Sequence, residues 1–323
     1  MNLKHAHYVL TVMNEKSFTA AAKKLYVSQP SLSQTIKQVE ANIGAPIFKR
    51  TSEELQLTYA GERYVEAARK IIAIYSDLIN EIEDMKDEVY GSLRLGVSMQ
   101  RGMNLLPAVL PKFIQKYPYV HIELHEHGSD HLERMVMDGD VDAALVTTNS
   151  KVNLMEYVLI ENETIVLMAA NTTRIAREHI DGTPISITSA AEESFVELKE
   201  GHSVRVIQDR LFEHYRITPK ILLASDSFET AKRIAARANA VMIMPYVYIE
   251  RDTPLRSLVK CFPIQDLTFE RHFYMCYRKG QYVTNYMQYL LDLVRGAVKE
   301  EHCDAPTDEG ATLPPSGRHA HPE

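Results

Sequence analysis

Five hydrogen-bonding side chains near the amino terminus are spaced so that they share one face of a helix. They are Gln29, Ser31, Ser33, Gln34 and Lys37. Between them Leu32, Ile36 and Val39 recur every three to four residues, which predicts a buried stripe on the other face. Amides and hydroxyls match the donors and acceptors of base edges, and an ammonium matches a phosphate. The run therefore indicates contact with double-stranded DNA.

Two helices joined by a tight turn must position that face. The run Ala20–Ala22 favours a first helix, and Tyr26-Val27 is a poor helix interior. Ser28 is a good N-cap for the second helix, and Pro30 falls in its first turn, where a missing N–H does no harm. The pattern predicts a helix-turn-helix whose second helix reads DNA. An ordinary helical hairpin with a solvated polar face explains the spacing alone equally well.

The surrounding residues favour the DNA interpretation. Residues 1 to about 65 resemble the N-terminal domain of LysR-type transcriptional regulators, most specifically through the run SFTAAAKKLYVSQPSLSQTIKQVE. The residues that carry the resemblance are Tyr8, Phe18, Ala21, Ala22, Leu25, Ser28, Gln29, Pro30, Ser33, Ile36, Glu40, Gly44, Phe48, Arg50, Leu57, Thr58 and Gly61. The organisation of the chain follows the same family to about residue 298.

The resemblance implies a winged helix-turn-helix and a set of DNA-contacting positions. These are Thr19, Ser28, Gln29, Pro30, Ser31, Ser33, Gln34, Lys37, Arg50 and Thr51. The wing tip departs from a phosphate-binding pattern because it carries Glu53 and Glu54, which repel phosphates. Arg50 and Thr51 are therefore the expected wing contacts.

Charge and composition agree with a DNA-binding head on a separate body. Residues 1–70 hold ten Lys or Arg against six Asp or Glu, whereas the remaining residues hold 26 against 37. No apolar run reaches membrane-spanning length and no signal-peptide pattern is present, so we expect a cytoplasmic protein without membrane association. A length of 323 residues predicts two or three domains.

The expected fold is of the α/β class, with a mostly helical N-terminal domain. The predicted order is a winged helix-turn-helix at residues 1–58, a linker helix at 59–90, a regulatory domain at 91–298 and a disordered tail at 299–323. Alternating apolar runs and amphipathic helices divide the regulatory domain into two Rossmann-like subdomains, I at about 91–163 with 266–298 and II at about 164–265. One of the predicted strands of subdomain II is Ile185–Thr188. Such a clamshell is similar to periplasmic binding proteins, as the family resemblance also implies.

The linker helix carries an apolar heptad seam. Its members are Val65, Ala68, Ile72, Tyr75, Ile79 and Ile82. A helix buried against its own domain has the same pattern, but no neighbouring segment looks apolar enough to cover it. We therefore predict a homodimer or homotetramer, whose two-fold symmetry requires an interrupted inverted repeat in the DNA. RNA polymerase is a further candidate partner.

Polar residues at predicted strand ends indicate a cleft for a small-molecule effector, because ligands of α/β sheets bind beyond the carboxyl ends of strands. The candidate residues are Ser98, Met99, Gln100, Arg101, Ser129, Thr147, Thr148, Gly201, His202 and Phe228. Most of the polar groups among them are donors, which favours a small organic anion.

Three other functions deserve weighing. Four histidines, His121, His125, His127 and His131, invite a metal site, but no cysteine or carboxylate completes an obvious tetrahedron, and we predict no metal and no cofactor. Some relatives sense peroxide through a cysteine pair, yet Cys261 and Cys276 fit buried structural thiols better. No catalytic motif of the G-x-S-x-G, P-loop or H-E-x-x-H type is present, so we do not expect an enzyme.

Overall fold

The computed structural model describes residues 2–50, 55–86, 90–148, 151–250, 252–265 and 271–303. The N-terminal part consists, in order, of α1 (Leu3–Glu15), α2 (Phe18–Lys24), α3 (Gln29–Ile43), β1 (Phe48–Arg50), β2 (Leu55–Leu57) and α4 (Tyr59–Asp84). β1 and β2 form an antiparallel hairpin. Gly44 ends α3 in the left-handed conformation, and the Thr58 side chain caps α4.

The core of the N-terminal domain includes the first three turns of the linker helix. Tyr64, Val65 and Ala68 of α4 are buried with α1 and with Leu32 and Ile36 of α3. The prediction that Val65 and Ala68 lie on an exposed dimer seam is therefore wrong. The elements in direct contact with this end of α4 are α1 and the wing strand β2, and the buried residues of α3 belong to the same core.

The first half of the regulatory domain alternates strands and helices. Its elements are β3 (Gly91–Val97), α5 (Met99–Lys116), β4 (Val120–Glu126), α6 (Ser129–Asp138), β5 (Ala143–Thr148) and β6 (Met155–Glu163). β3 pairs in parallel with both β4 and β5, so the carboxyl ends of these three strands meet at one edge.

The second half begins directly after β6. Its elements are β7 (Ile165–Ala170), α7 (Arg174–Glu178), a 3-10 turn at Ile187–Ala190, β8 (Ser194–Leu198), α8 (Ser203–Tyr215), β9 (Lys220–Ser225), α9 (Phe228–Ala235), β10 (Val241–Pro245), a 3-10 turn at Tyr246–Tyr248, α10 (Thr253–Arg256) and β11 (Val259–Pro263). The chain then returns to the first half with β12 (Arg271–Arg278) and α11 (Asn285–Cys303).

Two five-stranded sheets result, one for each subdomain. Subdomain I has the strand order β4-β3-β5-β12-β6, and subdomain II has the order β11-β7-β10-β8-β9. The returning strand β12 enters the middle of the first sheet, antiparallel to both β5 and β6. Each sheet has a separate buried core, centred on residues such as Phe113 and Phe273 in I and Phe195 and Phe262 in II.

Three sequence-based boundaries differ from the structure. The linker helix, predicted at residues 59–90, ends at Asp84, and Met85 is its C-cap residue. The predicted strand Ile185–Thr188 is instead a single parallel β-bridge from Ile185 to Ile264 followed by a 3-10 turn, and the strand of that region is β8, at Ser194–Leu198. The Ser186 side chain accepts a hydrogen bond from the Thr188 N–H, which closes the turn. The predicted tail from residue 299 is wrong at its start, because α11 continues to Cys303. The rest of that prediction falls outside the described residues.

Candidate DNA-binding and effector sites

The recognition helix α3 presents a polar face to solvent. Its N-cap Ser28 accepts a hydrogen bond from the Ser31 N–H at 3.3 Å, which fixes the first turn. Leu32, Ile36 and Val39 are buried as the sequence predicts. The predicted contacts that the structure places on the exposed surface are Thr19, Ser28, Gln29, Pro30, Ser31, Gln34 and Lys37, with Ser33 half-buried beside them.

A carboxylate within α3 is turned away from this face. Glu40 Oε1 accepts hydrogen bonds from the backbone N–H groups of Ile47 at 2.8 Å and Phe48 at 3.3 Å. The first wing strand is thereby tied to the recognition helix. Only the backbone of Arg50 is described, in β1, and Thr51 lies outside the described residues.

Tyr26 is a surface residue whose only predicted role was to interrupt the helix before Ser28. It lies in the turn between α2 and α3, is 96% exposed and has a positive φ of 54°. A tyrosine so exposed beside a recognition helix is suited to hydrogen-bond a phosphate. Its position in the turn, next to Val27, is the only signal that the sequence offers.

The parallel strands of subdomain I bring their predicted rim residues together. The His127 N–H donates to the Val97 carbonyl at 3.3 Å, so the end of β4 lies beside the end of β3. Ser129 Oγ accepts from the Thr147 N–H at 3.0 Å, which joins the start of α6 to the end of β5. Ser98 caps α5 by accepting from the Arg101 N–H at 3.4 Å.

The state of these groups leaves donors available to a ligand. Ser98 and Ser129 use acceptor capacity in the bonds above, so each hydroxyl hydrogen can still be donated. Gln100 Nε2 is buried and has no hydrogen-bond partner among the described residues. Met99 is exposed, Thr147 is buried and Thr148 is half-buried. Glu126 is a rim residue absent from the prediction, since its Oε1 lies 3.5 Å from where a Gly102 Cβ would be.

Arg101 does not lie free on the rim, contrary to the prediction. Its side chain is 3% exposed and forms an ion pair with Glu163, with Glu161 at 3.7 Å. The other Glu163 oxygen pairs with Arg271, which is also buried. The Arg101 guanidinium carbon lies 3.9 Å from the centroid of the Phe273 ring. Its charge is therefore balanced inside the protein and does not attract a ligand as an exposed cation would.

Subdomain II contributes less than the sequence indicates. Phe228 belongs to the core, where its ring packs edge-to-face on Tyr248 with centroids 5.0 Å apart. It is therefore a wall residue at most. Gly201 is exposed, with a φ of 96°, and His202 is the N-cap residue of α8 but makes no capping bond with its side chain.

The exposed apolar face of α4 lies further along the helix than predicted. Ile72 packs against the N-terminal core, while Tyr75, Ile79 and Ile82 are exposed. The same exposed face also includes Ile71, Ile74, Leu78 and Met85, which the predicted seam omits.

The described histidines, carboxylates and cysteines do not form a metal site or a reactive thiol pair. Among the described residues, no three His, Cys, Asp or Glu side chains form a group suited to a metal ion. Cys261 and Cys276 are buried in different sheets, and burial raises the pKa of each thiol to about 12. None of the described helices combines the length and apolar character needed to cross a membrane.

A recognition helix, a long linker helix and a two-lobed α/β domain define a DNA-binding regulator with an effector domain. Residues 3–62 match the family model "Bacterial regulatory helix-turn-helix protein, lysR family", and residues 86–299 match "LysR substrate binding domain". The chain belongs to the LysR family of transcriptional regulators. The predicted family and fold class are confirmed.

Individual relatives resemble the chain over most of its length. The uncharacterized transcriptional regulator YcgK of Bacillus subtilis (strain 168) is 27% identical to this chain. The alignment covers 96% of this chain and 99% of YcgK. BsdA of the same organism is 24% identical, covered over 100% by 91% of this chain. A full-length OxyR variant of Pseudomonas aeruginosa has a TM-score of 0.71 at 21% identity, with 91% of this chain and 95% of that chain covered. CbnR in complex with its target DNA gives 0.58 at 20% identity, with 92% and 100% covered.

Proposed function

We propose that this regulator binds an interrupted inverted repeat in DNA as a homodimer or homotetramer, and that a small organic anion controls the binding. The observation that carries the proposal is the exposed polar face of α3. It offers amides, hydroxyls and an ammonium, while the Glu40 carboxylate is occupied by the wing backbone. Such a face suits the major groove, which a single α-helix can enter.

Self-association is supported by the exposed face of α4. Large apolar side chains at Ile71, Ile74, Leu78 and Ile82 face water in the single chain. A contiguous apolar face on a helix is typical of a protein interface. A second copy of the same helix supplies a matching face and places two recognition helices in symmetric positions.

The anionic effector is supported by the donors at the rim. Free hydroxyl hydrogens on Ser98 and Ser129 and the partnerless amide of Gln100 lie near the first turn of α5. That helix has 18 residues, and its dipole and free N–H groups favour negative charge at this end. The effector binding domain of QuiR, which is 17% identical to this chain, has been solved in complex with shikimate. That carboxylic acid is therefore a suitable first probe.

The proposed recognition of DNA by α3 is tested by two substitutions, one at an expected base contact and one at an expected phosphate contact. Duplexes selected from a random pool by the wild-type protein serve as probes, with fluorescence anisotropy as the measurement. Gln29→Ala should lose about 1–3 kcal/mol of discrimination against mismatched duplexes if its amide reads a base. Lys37→Ala should weaken all duplexes alike and reduce the slope of log affinity against log salt by about one.

Matched controls lie in the regulatory domain, where Gln288 and Lys279 are also exposed. Gln288→Ala and Lys279→Ala should leave both measurements at the wild-type values. Unchanged discrimination in Gln29→Ala, together with an unchanged salt slope in Lys37→Ala, would reject this face as the reader.

The effector class is tested by a thermal-shift screen of carboxylic acids, beginning with shikimate, alongside amines and divalent metal ions. An acid that binds only the folded state should stabilise the protein by about 2.7 kcal/mol when its concentration is about 100 times its Kd. Gln100→Leu should remove the shift while leaving DNA affinity intact, and Gln288→Leu should retain it. Stabilisation by amines or metal ions alone, or by acids with Gln100→Leu unaffected, would exclude the proposed anion site.

A further inference from the structure

Helix α6 connects the effector rim with the linker helix. It has ten residues, Ser129–Asp138, and so spans about 15 Å. Ser129 at its first turn is bonded to the Thr147 backbone at the rim. Asp138 at its last turn, and Asp140 just beyond, face α4. One rigid element therefore touches both the ligand cleft and the helix that carries the DNA-binding domain.

The strongest contact at the far end is made by Arg69 of α4. Its Nη1 donates to the Asp138 carbonyl at 3.1 Å, lies 3.3 Å from Asp138 Oδ2 and lies 2.9 Å from Asp140 Oδ2. The arginine side chain is only 14% exposed. Burial raises the pKa of the Asp138 carboxyl, and the charge of Arg69 opposes that rise.

Two further contacts lie along the same face of α4. Asp77 Oδ1 is 3.7 Å from Arg278 Nη2, and Arg278 also donates to the carbonyls of Val136 and Val141 at the end of α6. At the last residue of α4, Asp84 Oδ2 accepts from the Asn285 N–H at 2.7 Å and from the Tyr282 hydroxyl at 3.3 Å. Through these polar residues, subdomain I contacts α4.

The residues Arg69, Asp77 and Asp84 lie on one side of α4, and the exposed apolar residues Ile71 and Ile82 lie on the opposite side. At 100° per residue, the three polar residues fall within about 80°, whereas Ile71 and Ile82 are each at least about 120° from all three. The contact with subdomain I and the proposed contact between two linker helices therefore use different faces and can exist together.

Helix α6 is packed against its own sheet by buried side chains and one side-chain hydrogen bond. Leu132 and Val136 are buried against the sheet, and Glu133 accepts a hydrogen bond from the Tyr157 hydroxyl at 2.9 Å. Partly exposed ion pairs of the kind that Arg69 forms are individually weak. A contact made of several such pairs is reversible, and salt weakens it further.

We propose that Arg69, Asp77 and Asp84 of α4, together with Asp138, Asp140, Arg278 and Asn285 of subdomain I, form a polar clamp. The clamp fixes the linker helix against the regulatory domain, and α6 transmits changes at the effector rim to it. This inference rests on the proposed function for its biological role, since it assigns the regulation of the proposed effector site. The clamp contacts themselves are independent of that role.

The clamp is tested on the full-length protein by pulsed electron paramagnetic resonance. Spin labels go on Asn14→Cys and Glu156→Cys, both exposed positions, with Cys303→Ser to remove the carboxy-terminal thiol. The buried Cys261 and Cys276 label slowly. Labelled protein is mixed with excess unlabelled wild type, so that distances within one chain dominate.

The wild type should give one narrow distance between the labels. Arg69→Met and Asp140→Asn should broaden it, and Arg63→Met is the matched control because the ion pair that Arg63 forms within the described residues is to Glu66 on its own helix. Ser129→Ala, which alters only the rim end of α6, should broaden the same distance. If Arg69→Met kept the narrow distance distribution of the wild type, the clamp would be overturned. If Ser129→Ala kept it, transmission through α6 would be overturned.

The regulatory role is read from affinity for the duplexes that the wild type selects. Arg69→Met should change it by about fivefold or more relative to Arg63→Met, the lower end of usual allosteric coupling. Unchanged affinity with a broadened distance would overturn the regulatory role. A wild type that selects no duplex would defeat the proposed function, while the label distances would still decide whether the clamp exists.

Discussion

Arg101 has a different role in the folded protein from the one that its sequence neighbours predict. In the sequence it follows Ser98 and Gln100 and resembles a ligand-binding cation. In the structure its guanidinium is paired with Glu163 and stacked on Phe273. Both partners lie far along the chain, on strands that come together only in the finished sheet, so local spacing contains no sign of them.

Removing the Arg101 charge should destabilise the protein strongly. Arg101→Met leaves the fully buried Glu163 side chain with Arg271 alone, and breaking a buried pair of this kind costs about 3–5 kcal/mol. Urea unfolding followed by circular dichroism measures the loss. Lys199→Met is the control, because the Lys199–Asp226 pair is exposed and contributes about 0–1 kcal/mol. Equal, small losses in the two variants would contradict the buried cluster.

The rim hydroxyls show the opposite outcome at the same scale. Ser98, Ser129 and Thr147 were placed together from the rule that parallel strands end at one edge, and a hydrogen bond from the Thr147 N–H to Ser129 Oγ agrees with that rule. Glu126 was missed because an exposed strand-end glutamate carries no pattern of its own.

At the scale of elements, periodicity predicts that α4 is a helix but not which of its faces is covered. Apolar residues follow the heptad through Val65 and Ala68 as well as through Tyr75 and Ile82, and only tertiary contact separates a core stripe from a free one. The strand β8 was misplaced for a related reason. Short apolar runs such as Ile185–Thr188 and Ser194–Leu198 are indistinguishable until it is known which one has a strand beside it.

The two parts of α4 should respond differently to a charge. Leu78→Asp places a carboxylate on the exposed apolar face and should yield folded monomers that bind the selected duplex poorly, because a dimer would bury that charge unpaired. Ala68→Asp introduces the charge into the N-terminal core and should unfold that domain.

Light scattering gives the mass, and circular dichroism gives the helix content. Lys70→Asp, at an exposed position on α4, should keep both at the wild-type values. A Leu78→Asp variant with the wild-type mass would show that this face is not the dimer contact.

At the scale of the whole molecule, the separation into two sheets decides what its thiols can do. Cys261 lies in β11 of subdomain II and Cys276 in β12 of subdomain I, each within its own core. The two sulfur atoms therefore cannot meet without disrupting a sheet. Both pKa values, raised to about 12 by burial, keep the thiols protonated at neutral pH.

Peroxide should consequently leave DNA binding unaltered. In a Cys303→Ser background, brief treatment with hydrogen peroxide should not change the mass of the peptides that contain Cys261 and Cys276. It should also leave the affinity for the selected duplex unchanged. Mass spectrometry and anisotropy measure the two quantities. Rapid oxidation of Cys261 or Cys276 accompanied by altered affinity would restore the redox-sensing alternative.

The pairing of Glu163 with Arg271 also has a consequence for how the protein is made. These partners are 108 residues apart, so at about 5–20 residues per second the ribosome delivers β12 roughly 5–20 s after β6. Until then β5 and β6 lack the strand that belongs between them, and each exposes an unpaired edge. Subdomain II is continuous in the chain and can close during this interval. The nascent first subdomain is thus the part of the molecule most dependent on chaperones, and heat applied during synthesis should aggregate the protein at temperatures that the finished protein tolerates.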